Sequence, residues 1–135
     1  MFEQDYIIRL IKEMIRAILK LLFHMDTDNP NKDLLEEKES QDTLEKLLDM
    51  VDNGDINEAE NQIYDMTSDD NMVNLEVALL FYSYLNEKED DFLQKNDFSR
   101  DEIKSGLKEL ISRYGLTGMI SAKSGGFVGQ FQNKS

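Results

Sequence analysis

The chain has 135 residues, 40% of them hydrophobic, which suits one domain with a core of its own. It has no cysteine and one histidine, His24, which excludes disulfides, thiolate chemistry and most histidine-based metal or acid–base sites. A formal charge of −13 repels phosphate backbones, so the whole molecule is not expected to bind nucleic acid.

The first segment predicts a helix. At 100° per residue, its Ile, Leu, Met and Ala residues from Ile7 to Leu22 fall on an arc of roughly 200°. Arg9, Lys12, Glu13, Arg16 and Lys20 fill a separate, narrower arc. So wide an apolar arc must be covered on more than one side. Ile8, Ile11, Ile15, Ile18 and Leu22, with Met25, recur at alternating three- and four-residue steps, a short heptad seam. These five are the candidate interface residues, with a monomer or a homodimer as the two outcomes. The other reading makes this helix the central element of a monomer.

Asp26 to Lys32 reads as a loop, because Pro30 ends any helix before it. A short helical turn is expected around Asp33 to Lys38. A helix from about Gln41 to Asp52 follows, with Leu44, Leu47, Leu48 and Val51 inward. Asn53-Gly54 stops it, and Asp55 with Glu58 reads as a capping box for the next helix. There Ile56, Ala59, Ile63 and Met66 form the buried stripe. After a polar turn, Met72 to about Leu85 is broadly apolar and reads as a central helix, with Val73, Val77, Leu80, Phe81, Tyr84 and Leu85 inward. Glu87-Lys88-Glu89-Asp90-Asp91 is an acidic connector, followed by a short amphipathic turn at Phe92 and Leu93. Ser99 and Glu102 form a second capping box, with Phe98 and Ile103 placed as a hydrophobic staple. This last helix turns Ile103, Leu107, Leu110, Ile111 and Tyr114 inward and ends at Gly115.

The expected fold is all-α: five or six helices packed as antiparallel hairpins in residues 1–115, without sheet. Residues 116–135 hold four of the seven glycines, two lysines and no acid. They read as a Gly-rich tail, or as a weak hairpin turning at Ser124-Gly125-Gly126. Between 25 and 115, nine bases face 25 acids, while residues 1–24 carry four bases and three acids. No secretory signal or membrane-spanning run is visible, so a cytoplasmic protein is the default expectation.

No motif carries chemistry. Asp26, Asp28 and Glu37 match the first, third and twelfth ligand positions of an EF-hand. Pro30 and Asn31 replace its fifth ligand and its turn glycine, so calcium binding is not expected. His24 has Leu21 three residues before it, so the Glu-x-x-His motif of helical di-metal sites is absent. No catalytic, cofactor-binding or metal-ligating residue is assigned, and no cofactor is expected. Gly54-Asp55-Ile56-Asn57-Glu58-Ala59 looks like the turn of a tetratricopeptide-type hairpin, without a second copy at the 34-residue period.

Phe2 to Met14, Ala78 to Leu85 and the Phe98-Ser99-Arg100-Asp101-Glu102 helix start resemble a family of small uncharacterised proteins from Gram-positive gut bacteria. The resemblance covers about residues 2–120. It implies an all-helical cytoplasmic protein and carries over no functional residue. The functional expectation is a non-enzymatic interaction module or small scaffold with an unidentified protein partner. The alternatives are peripheral membrane association through the first helix, which the acidic body weighs against, and a carboxylate-based enzyme.

Overall fold

The computed structural model describes residues 2–118. Six α-helices follow one another: α1 (Phe2–Phe23), α2 (Lys38–Asp52), α3 (Ile56–Met66), α4 (Met72–Asn86), α5 (Asp90–Lys95) and α6 (Arg100–Arg113). A 3-10 turn at Lys32–Leu34 interrupts the loop between α1 and α2. No strand occurs among the described residues. The tail-or-hairpin expectation for 116–135 falls almost wholly on 119–135, outside the described residues.

Three helix ends share one device. Past α2, Gly54 adopts φ +92°, its N–H donates to Val51 O, and the Asp55 N–H donates to Met50 O. This paired closure satisfies carbonyls that the helix end leaves open, and it needs a left-handed residue. Gly115 closes α6 in the same way at φ +70°, and Asp97 closes α5 at φ +60°. At the start of α6, the Ser99 hydroxyl accepts the Glu102 N–H at 3.2 Å. The capping box expected at Asp55 does not form, since its side chain makes no cap hydrogen bond. The Asn71 side chain caps α4 instead, 2.9 Å from the Asn74 N–H.

α4 is the central helix: ten of its fifteen residues are buried, and it packs on α1, α2 and α6. Asn86 at the end of α4 reaches Ile8 O near the start of α1, so these two helices run antiparallel. Tyr114 at the end of α6 reaches Asn71 O at the start of α4, so α6 and α4 are antiparallel too. The hairpin of α2 and α3 forms as expected, with Ala59 fully buried. The wide apolar arc of α1 is covered from two sides, by α4 and by α6.

That double cover decides where the candidate interface residues lie. Ile11, Ile15 and Ile18 are no more than 2% exposed within the chain's own core. Ile8 and Leu22 are half-buried. Ile11, Ile15 and Ile18 therefore offer no face to a partner, while Ile8 and Leu22 stay partly open. Val73, expected inward, is 37% exposed.

Candidate functional site

Three concavities among the described residues differ in the chemistry of their side chains. The first, of about 320 Å³, runs along the basic strip of α1. Arg16 is held there by Asp26 at 3.0 Å and Asp28 at 2.8 Å, and Lys20 lies 3.7 Å from Asp26. The Arg16 hydrogen bond, then the Lys20 charge, holds the Asp26 carboxyl below its ordinary range. Asp26 and Asp28, the two acids with EF-hand spacing, are thus turned onto a guanidinium. Three bases and three acids line this cleft, so it has no net preference for an anion.

The second, of about 170 Å³, lies among α3, α4 and α6. The Tyr82 hydroxyl donates to Glu60 at 2.9 Å. Gly106 makes the pair possible, because a Cβ there would sit 2.5 Å from the Tyr82 oxygen. Burial pushes both the Glu60 carboxyl and the Tyr82 hydroxyl up. Beside them, the Arg113 guanidinium sits 4.2 Å from the Tyr64 ring centroid and donates to Thr67 O and Oγ1 at 2.6 Å. These groups satisfy one another and tie helices together.

The third, of about 270 Å³, is a groove at the end of the molecule where α1 finishes and α4 starts. Phe23 and Met25 form one wall, the Leu35–Ser40 segment another, and Met72, Val73 and Glu76 of α4 a third. The placement follows from the helix starts and stops. Residues 72, 73 and 76 share one face of the first turns of α4. His24, at φ +58°, ends α1 and turns Met25 into the groove wall, with the Met25 N–H on Leu19 O.

Two features distinguish this groove. Met72 and Val73 are 45% and 37% exposed, two of the few large apolar side chains the described surface leaves open. Glu76 is 8% exposed, and its Oε2 is buried without a hydrogen-bond partner. Buried carboxylate oxygens are normally satisfied, so this one departs from the usual rule. Burial, and then the neighbouring Glu36 carboxylate, pushes the Glu76 carboxyl up. Glu36, Glu37 and Glu76 line the groove and no basic side chain does. Sequence reasoning passed over this site. Its one local signal was Glu76 itself, the single acid inside the apolar run Leu75 to Leu80.

A sequence profile for a family of unknown function matches residues 1–115. The chain belongs to the DUF6483 family. The resemblance read from Phe2 to Met14, Ala78 to Leu85 and Phe98 to Glu102 is thereby confirmed as a relation to a family of unknown function. The DUF6483 match takes in all six helices, and so every wall of the groove. No curated protein and no solved structure shows significant similarity to the chain.

Proposed function

We propose that this DUF6483 protein is a monomeric, non-enzymatic interaction module. It receives an apolar segment bearing a positive charge in the groove between the end of α1, the Leu35–Ser40 segment and the start of α4. The observation that carries this reading is the unpartnered Glu76 carboxylate beside exposed Met72 and Val73. An apolar side chain laid on Met72 and Val73 removes their surface from water. A lysine or arginine from the same segment answers the Glu36, Glu37 and Glu76 carboxylates that line the groove without a base. The burial of Ile11, Ile15 and Ile18 inside one chain supports the monomer.

The test is a photoreactive amino acid placed at position 73 in the source cell, with position 46, an exposed site on α2, as the control. A discrete heavier adduct at 73 and not at 46, at a purified mass near 15.7 kDa by light scattering, supports the reading. Equal background at both positions overturns it.

A further inference from the structure

The groove's chemistry and position single out one occupant within the chain itself. The described residues end at Gly118. Just before that point, the Tyr114 hydroxyl donates to Asn71 O at 2.8 Å, which fixes the end of α6 beside the start of α4. Met72 and Val73 come directly after Asn71 and form a groove wall. Tyr114, at the end of α6 and four residues before Gly118, therefore lies beside the groove wall that Met72 and Val73 form. Residues 119–135 reach at most ~55–60 Å when fully extended, several times the span of a cavity this size.

The sequence of that stretch complements the groove in both respects. The groove is lined by Glu36, Glu37 and Glu76 without a base. Residues 119–135 carry Lys123 and Lys134 without an acid, in a chain whose formal charge is −13. The groove's open apolar side chains are Met72 and Val73. The stretch brings Met119-Ile120, Phe127-Val128 and Phe131. A second copy of the folded body is a poorer match, since its acidic surface meets the same three carboxylates.

We propose that residues 119–135 of the same chain dock in this groove, placing apolar side chains on Met72 and Val73 and a lysine beside Glu76. This rests on the groove being a docking site, as proposed above. An intramolecular ligand raises its own effective concentration to about the millimolar range, so even a weak contact persists. A partner segment then binds by displacing it.

The experiment uses the full chain. Because it has no cysteine, Gln130→Cys gives a single site for a nitroxide label. Methionine methyl resonances are the readout, with Met25 and Met72 in the groove and Met50 further along α2 as reference. The expected result is broadening of Met25 and Met72 at least twofold greater than that of Met50, abolished by Glu36→Lys with Glu37→Lys or by Val73→Asp. These positions are exposed, so the fold survives. Equal broadening at all three methyls, or none, overturns the proposal. Broadening that passes to an unlabelled, isotope-enriched copy in a mixed sample also overturns it in favour of exchange between chains. A partner adduct at position 73 with no broadening retires this inference while leaving the interaction module standing.

Discussion

Arg100, almost wholly buried at the start of α6, donates through Nη1 to the Asn86 carbonyl at 2.7 Å. The same guanidinium reaches Lys88 O at 2.8 Å and Asp90 Oδ1 at 2.6 Å through Nη2. Asn86 in turn donates from its amide to Ile8 O at 3.1 Å. One cation therefore joins the end of α4, the acidic connector and the start of α6, and through Asn86 it reaches α1. Removing it strands the carbonyls of Asn86 and Lys88. Arg100→Ala is expected to cost about 2–4 kcal/mol in urea unfolding. Arg100→Lys should recover less than half of that, because an ammonium cannot reproduce the planar fork.

Gly106 stands against Glu60 and Tyr82. Alanine there gains up to about 1 kcal/mol of helix propensity but pushes into the Tyr82 hydroxyl. Gly106→Ala is expected to destabilise by a net ~1–2 kcal/mol. In a Tyr82→Phe background the cost should shrink, since the clashing oxygen is gone and Glu60 is released. A double-mutant cycle with equal costs in both backgrounds refutes the close approach.

Glu76 gives a pH dependence of defined sign. Its carboxyl is raised in the folded chain, first by burial and then by Glu36. The folded state therefore holds the proton more tightly than the unfolded state. This contribution favours folding below the unfolded carboxyl value and is lost as pH rises through the raised folded value. Glu76→Gln should be more stable than the parent at pH 7, with the difference closing near pH 4. Thermal melts of both proteins across that range check it. A constant difference would mean Glu76 is not strained by its burial.

Ala59 is fully buried on α3, which packs on α2. Ala59→Leu overpacks that contact and should cost roughly 1–3 kcal/mol, read by urea unfolding.

Ile11 is fully buried in α1. Ile11→Asp places a carboxylate among apolar side chains, costing more than about 4 kcal/mol. The expected outcome is loss of helical circular dichroism. A soluble, folded product would return α1 to the role of an interface helix.

The helices were legible because their ends carry local chemistry. Gly54 and Gly115 supply left-handed stops, and Ser99 supplies a start, each within a few residues of the end it marks. The same locality explains the errors. Asp55 has the right spacing for a cap, yet its side chain makes no cap hydrogen bond, which no spacing reveals. Val73 belongs to an apolar run, and only the packing of α1 and the Leu35–Ser40 segment leaves it open. The seam of Ile11, Ile15 and Ile18 fits a partner helix or a core equally well by period. The choice depends on α4 and α6, more than fifty residues away along the chain. The groove is the least legible feature, since its walls come from three separate stretches of sequence.

The position of α1 between α4 and α6 also sets an order of events during synthesis. α1 leaves the ribosome first, but α6, which covers one side of its apolar arc, leaves last. Until then α2, α3 and α4 can pack together and α4 can cover one side of α1, while the side that α6 will cover stays open. Contacts of such long sequence separation form late and slow the approach to the native state. A chain that holds α1 to α4 but lacks α6 leaves one side of that arc uncovered, and exposed apolar surface of this kind favours self-association. Moving α1 behind α6 by circular permutation should shorten that interval and raise the soluble yield.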